Sequence, residues 1–504
     1  MRHSQLDGWS EADVTKPTGL REACGVIGVY APTEDVARLA YFGLFALQHR
    51  GQESAGIATT DGTDLHVRTS MGLVSQVFDE QDLNRLGVGS FAAIGHTRYS
   101  TTGSSRVENA QPLVVQSDLG SLALGHNGNL TNTSTLGAEM ERLGITLTST
   151  TDSEILGHLC AHAEGDDWLA RIRATLPRLG GAFCLTMLTS DALYAVRDPL
   201  GIRPLCLGRT ESGGWVVASE SCALDTIGAQ FIREIDPGEL LKIDELGIHT
   251  EHFATDPEAV AGGERFGTAV TLPMVGFPQR AACSFEHIYF ARPDSVVDGK
   301  LVYAVRERMG EILAREHPIE ADIVIAVPDA GVPAAMGYAS ASGIALREGF
   351  VKNRYIGRTF IQPSQGQRSG NVALKLNPLP EVLRGKRVVV VDDSIVRGTT
   401  TPRVVAQLRK AGAREVHMRI SSPPMLWPCY LGVDTATQEE LIAANMSIPE
   451  IRDFIGADSL GYLSIDGLVE AIGLPESTLC NACFHGRYPL PIEQGQGKFV
   501  LERS

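Results

Sequence analysis

Four consecutive valines, Val388 to Val391, constrain this chain more than any other feature. Successive side chains of a strand point to opposite faces, so a run without a polar position must be covered on both sides. That demands a parallel sheet between helices, and the strand–loop–helix rhythm from about Cys283 onward supplies the partners. The valine strand runs into Asp392 and Asp393, then a loop with Ser394, Arg397, Gly398, Thr399 and Thr400, before Pro402 opens a helix. A helix amino terminus presents unpaired N–H groups that suit a phosphate, the hydroxyls add donors, and Gly398 allows close backbone approach. Carboxylates at the strand end suit ribose hydroxyls and a magnesium ion. Two acids alone would more simply cap a strand, and Thr400 a helix. The combination in one stretch favours a phosphate site.

This stretch resembles the phosphoribosyl pyrophosphate loop of the type I phosphoribosyltransferases. The resemblance places a pyrophosphate-binding turn at Val327–Gly331, with Asp329 in it, and a closing loop over Lys352 to Arg368. Lys352, Arg354, Arg358 and Arg368 are expected to neutralise pyrophosphate, although each alone reads equally well as solvated loop charge. Ala330 stands where that family usually has a hydroxyl residue. Asp392 and Asp393 are the expected magnesium positions.

The amino-terminal half carries a second chemistry. A lone Cys24 would be unremarkable, since free cysteines are often inert core residues. Here "CGVIG" is followed in order by "HTRYST" at His96–Thr101, "HNGNL" at His126–Leu130 and "TDSE" at Thr151–Glu154. Together they resemble the class II, amino-terminal-nucleophile (Ntn) glutamine amidotransferases. The resemblance implies Cys24 as nucleophile, Asn127 and the Gly128 N–H as oxyanion donors, Arg98 for the glutamine α-carboxylate and Asp152 for its α-ammonium. Residues 1–23 would then be a propeptide, because its removal gives Cys24 a free α-amine. With a reference pKa of about 8, that amine serves as a base near neutral pH. His96 and His126 are expected to be structural, and "LQHRGQESAG" from Leu47 to be packing and pocket scaffold.

Nine cysteines in a long chain without a secretory signal point to catalysis or metal binding in preference to disulfides. Cys480 and Cys483 form one CxxC, weak evidence by itself. By resemblance to one branch of the family, they join Cys283 and Cys429 as ligands of a 4Fe–4S cluster, with zinc as the alternative. Cys160, Cys184, Cys206 and Cys222 read as core.

Both halves together resemble the glutamine phosphoribosylpyrophosphate amidotransferase family, in its iron–sulfur branch. The expected architecture is an α+β Ntn hydrolase sandwich over 24–252 and a linker over 253–282. An α/β type I phosphoribosyltransferase domain with a parallel sheet follows over 283–490, and a tail over 491–504. The implied reaction joins glutamine and phosphoribosyl pyrophosphate to give 5-phosphoribosylamine, the opening step of purine synthesis, with a dry passage for ammonia between domains. Other glutamine-dependent enzymes share the first half but lack the phosphoribosyl loop. A purine repressor would lack the glutaminase, and an inactive paralogue stays open through Ala330. A net charge of −16 argues against nucleic acid and membrane surfaces as main partners. No apolar span suggests a membrane helix, so a cytoplasmic enzyme is expected. The resemblance further implies purine nucleotide inhibitors, with Lys375 as a guessed contact, and a homo-oligomer, a tetramer.

Overall fold

The computed structural model describes residues 24–99, 104–254, 280–352, 376–433, 437–493 and 501. The expected propeptide, Arg354, Arg358, Arg368, Lys375 and most of the linker lie outside them.

The described residues fall into two compact units. In the first, two antiparallel sheets stack face to face. One contains, in spatial order, strands Gln230–Glu234, Cys206–Arg209, Trp215–Ala218, Gly25–Tyr30, Ala92–Arg98, Ser54–Thr60 and Leu65–Met71. The other runs Gly247–His252, Glu239–Asp244, Leu193–Arg197, Gly181–Leu188, Gly120–Leu130 and Leu113–Ser117. Strand Gly25–Tyr30 shows how sequence builds this. Val26 and Tyr30 join the core between the sheets, while Ile27 and Val29 join the core under helix Val36–Ala46. The second sheet buries its outer face beneath helices Thr133–Arg142, Asp152–His162 and Trp168–Thr175. The layers are therefore helix, sheet, sheet, helix, the α+β Ntn sandwich.

The second unit holds strands Ile323–Ala326, Arg387–Asp392, Glu415–Ile420 and Ser459–Tyr462, all parallel. All four valines are fully buried, as a two-faced strand requires. Val388 and Val390 pack with Val404, Leu408, Ile451 and Ile455 on one side. Helices Val302–Glu316 and Val332–Ser342 pass so closely that a Cβ on Gly337 would lie 1.8 Å from the Glu307 carbonyl.

Two elements differ from what local pattern suggests. Apolar residues recur at helical spacing between Leu39 and Arg50, but the helix is Val36–Ala46, because the chain turns after Leu47 and buries Arg50. The stretch beyond Leu431 reads as helical, yet Ser459–Tyr462 adds a fourth strand. "SLGY" has no β-branched residue to announce it. Pairing with Glu415–Ile420 makes it a strand, and Gly461 leaves room for the His317 ring. In addition, residues 428–433 and 472–493 group with the first unit, where Cys283 and Cys480 sit opposite each other in a two-residue parallel ladder.

The first unit also holds a buried ion network. Arg50 binds Glu220 through Nε and Glu286 through Nη2, the latter at 2.5 Å, and Arg203 Nη1 reaches Glu286 at 3.0 Å. Glu220 also accepts from Ser295 Oγ at 2.6 Å, from the Arg292 N–H at 2.8 Å, and lies 2.7 Å from His49 Nε2. Burial alone would raise the Glu220 carboxyl; Arg50 and His49 outweigh it and hold it well below the ordinary range. Removing one member leaves an uncompensated buried charge. Arg50→Leu should therefore cost about 3–5 kcal/mol, seen as an earlier urea transition for the first unit; an unmoved midpoint would show the network to be energetically idle.

Candidate functional site

Cys24 precedes the central strand Gly25–Tyr30, whose neighbour ends at Arg98. Its thiol donates to the Tyr99 carbonyl at 3.3 Å and accepts from the Tyr99 N–H at 3.5 Å. Burial pushes the thiol pKa up, and the Tyr99 bond and the Arg98 charge act against that. Arg98 is itself buried, donates to the Ser104 carbonyl at 3.2 Å and lies 3.8 Å from Glu53.

The opposite sheet brings Asn127 and Gly128 on strand Gly120–Leu130. His96 Nε2 meets the His126 carbonyl at 3.0 Å, which ties the Arg98 strand to the Asn127 strand. Both polar atoms of the Asn127 side chain are buried without a hydrogen-bond partner among the described residues. Buried amides are ordinarily satisfied, so this one is held for something else. Gly128 has φ +154°, and a Cβ there would lie 1.9 Å from the Ala182 carbonyl; only glycine fits.

Asp152 opens helix Asp152–His162 and accepts from the Leu130 N–H at 2.9 Å. Burial would raise its carboxyl, but His126 and that N–H outweigh it and keep it low. An ionised acid here suits an ammonium. Burial drives His96 down to about 3, so its ring is neutral at physiological pH and carries no charge to the site.

The second unit holds the other group. Strand Arg387–Asp392 and the neighbouring Ile323–Ala326 end side by side, and the turn Val327–Gly331 follows the latter. A Cβ on Gly331 would lie 2.8 Å from the Val391 carbonyl, so this turn hugs the valine strand. Asp329 is exposed and contacts Lys352, while Ala330 is half-buried and offers no hydroxyl. Asp392 and Asp393 are half-buried neighbours. Burial raises both carboxyls, Asp393 to about 6, and the Asp393 charge drives Asp392 well above the ordinary range. Ser394 Oγ donates to Asp393 at 2.6 Å. Arg397 is held by Glu440 through bonds of 3.0 and 2.8 Å. Gly398 turns at φ +68° with Ile442 packed against it, where a Cβ would meet Ile442 Cδ1 at 2.4 Å. Thr399 leads to Thr400, which stands at the N-cap position of helix Thr401–Lys410 without a side-chain capping bond. Crevices beyond the carboxyl ends of parallel strands are where such sheets bind ligands.

Cys283, Cys429 and Cys480 lie half-buried against Ala182, Ile202 and Leu431. Burial raises the Cys483 thiol well above its ordinary range, and the neighbouring Cys283, Cys429 and Cys480 add to it. Among the described residues no three His, Cys, Asp or Glu groups are gathered tightly enough to hold one metal ion. Cys160, Cys184, Cys206 and Cys222 are core residues.

Sequence reasoning did not single out Tyr99, Arg203, Glu220, Glu286 or Glu440. Glu440 stands 43 positions from its partner Arg397, and no motif marks it. Ser295 serves Glu220 as a donor.

Both halves of the chain match known protein families. Residues 96–226 match the glutamine amidotransferase domain model and residues 294–421 the phosphoribosyl transferase domain model. The amidophosphoribosyltransferase of Synechococcus elongatus is 51% identical, covering 97% of this chain and 96% of its own. That of Methanocaldococcus jannaschii is 48% identical over 93% and 98%. A solved structure of glutamine phosphoribosylpyrophosphate amidotransferase from B. subtilis, complexed with ADP and GMP, is 44% identical. It covers 94% of this chain and 99% of its own, with a TM-score of 0.84. By this likeness along nearly its whole length, and by a glutaminase-type sandwich joined to a phosphoribosyltransferase sheet, the chain belongs to the amidophosphoribosyltransferase family.

Proposed function

We propose the following division of labour for the reaction of this glutamine-dependent pentosyltransferase, which turns glutamine, phosphoribosyl pyrophosphate and water into 5-phosphoribosylamine, glutamate and pyrophosphate. Cys24 is the nucleophile, unmasked by removal of residues 1–23, and its α-amine takes the thiol proton. A buried, raised thiol needs such a base at hand. Arg98 receives the substrate α-carboxylate and Asp152 its α-ammonium, an arrangement supported by a buried cation and a low-pKa buried acid at the same end of the sandwich. As Sγ attacks the side-chain amide, the oxyanion is met by the Asn127 amide and the Gly128 N–H. The unpartnered Asn127 side chain is the observation that carries this reading. Ammonia leaves, and water then hydrolyses the thioester to glutamate.

In the second unit the loop Ser394–Thr400 cradles the 5-phosphate, with Thr399, Thr400 and the helix amino terminus as donors. Asp392 and Asp393 position the ribose. Asp329 and Lys352, with Arg354 and Arg358, attend the pyrophosphate, and Arg397 braces the loop through Glu440. Asp392 and Asp393 would hold Mg2+, which supplies positive charge against the departing pyrophosphate when bound; Ala330 contributes nothing to it. Ammonia attacks the sugar carbon with inversion as pyrophosphate leaves.

Cys283, Cys429, Cys480 and Cys483 would hold a 4Fe–4S cluster with a structural role. The all-thiolate set supports this, and a four-iron centre needs more widely spaced sulfurs than a single zinc ion. Purine nucleotides are the proposed inhibitors, since the B. subtilis relative was solved with ADP and GMP. A cytoplasmic homotetramer completes the reading; among the described residues no helix is long and apolar enough to cross a membrane.

Cys24→Ala should abolish glutamine-dependent synthesis and spare synthesis from free ammonia, both assayed as pyrophosphate release. Loss of both would contradict the division of labour. Asp392→Asn should cut both routes by at least 10²-fold, the scale of a lost transition-state contact; an intact ammonia route would remove Asp392 from the sugar site. Intact-mass analysis should find a chain that begins at Cys24, and full glutaminase activity in a chain beginning at Met1 would refute the α-amine base.

A further inference from the structure

Arg203 takes part in no step above, yet it is a fully buried cation. Nη1 donates to Glu286 at 3.0 Å, and its guanidinium carbon stands 5.5 Å over the Phe290 ring. Nε and Nη2 are buried with no hydrogen-bond partner among the described residues. Unmet donors on a buried charge are costly, and Arg is the residue least able to shed that charge.

The surroundings say what those donors face. The Cys283 N–H bonds the Ile202 carbonyl at 3.0 Å, which sets Cys283 beside the backbone of Arg203. A Cβ on Gly432, three residues past Cys429, would lie 2.9 Å from Nη2. Cys283, Cys429 and Cys480 pack together against Ile202, the residue before Arg203.

We propose that Arg203 is the charge partner of the four-cysteine site, donating Nε–H and Nη2–H to thiolate sulfurs and offsetting the negative charge of the cluster they hold. This rests on the four-cysteine reading. Hydrogen bonds to ligand sulfur and nearby charge are the levers by which a protein sets cluster stability and potential. Glu286 aims the fork, and the Arg50–Glu220 network holds Glu286.

The test is anaerobic reconstitution of the full chain with ferrous iron and sulfide. Iron and sulfide per chain, reduction potential, and lifetime of the visible absorbance in air would be measured. Arg203→Gln should move the potential to more negative values, since a positive charge that favours the added electron is gone, and shorten the lifetime several-fold. Arg203→Lys should recover most of the potential and little of the lifetime, because charge returns without the fork. A wild-type potential and lifetime in Arg203→Gln would overturn the proposal, as would variants whose apo forms unfold earlier while the cluster signals stay unchanged. If Arg203→Gln does not fold, Arg203→Lys decides alone: an unaltered lifetime overturns the proposal. Wild-type protein that takes up no iron and sulfide would sink the four-cysteine reading itself, and the Arg203 proposal with it.

Discussion

Glu220 sits where no water reaches, and its charge is tolerable only because Arg50, His49, Ser295 and the Arg292 N–H surround it. The network draws on stretches of the first unit that are far apart in sequence. Arg50 follows the first helix, Glu220 precedes helix Ser221–Thr226, and Glu286, Arg292 and Ser295 come from the far side of the linker. Such a network is weak evidence for stability, since apolar residues of equal volume would often serve as well. Its value is specificity. A carboxylate that must find an arginine fixes which segment lies where, and in residues 286–295 it sets the position of a stretch whose Ile288, Phe290 and Ala291 are buried as well. From Glu286 the same network runs on to Arg203 and so to the cysteines.

How much of this was legible in the sequence follows from how local each cause is. The valine strand and its acid pair could be read because burial on both faces leaves a four-residue signature. The Cys24 constellation could be read because each element contributes a short, ordered motif. Strand Ser459–Tyr462 could not, since its strandhood comes from pairing with Glu415–Ile420 and not from its own residues. Arg397 was legible and its partner Glu440 was not, for an ion pair across 43 positions leaves no pattern in either stretch. The return of the cysteine-bearing tail to the first unit was hidden in the same way: its evidence is a two-residue ladder and an apolar patch.

The two sites solve opposite electrostatic problems. At Cys24 the sandwich gathers one buried cation and one buried anion, Arg98 and Asp152, and leaves the Asn127 amide unspent. On the roles proposed for these groups, they would form a preformed mould for a zwitterion and for an oxyanion that exists only during reaction. At Asp392 and Asp393 two acids crowd together in partial burial, and each raises the cost of charging the other. Left alone, such a pair holds on to protons. It makes sense beside a cation and ribose hydroxyls, which stabilise the ionised form.

Ala330 is intelligible on the same terms. The turn Val327–Gly331 is held by backbone packing against Val391, so its shape does not depend on the side chain at 330. Its charge comes from Asp329, which pairs with Lys352. A hydroxyl at 330 would add one more oxygen donor to a place that already has two adjacent carboxyls. Its loss therefore subtracts a contact without altering the frame, and the loop Ser394–Thr400, built on a different strand, is untouched.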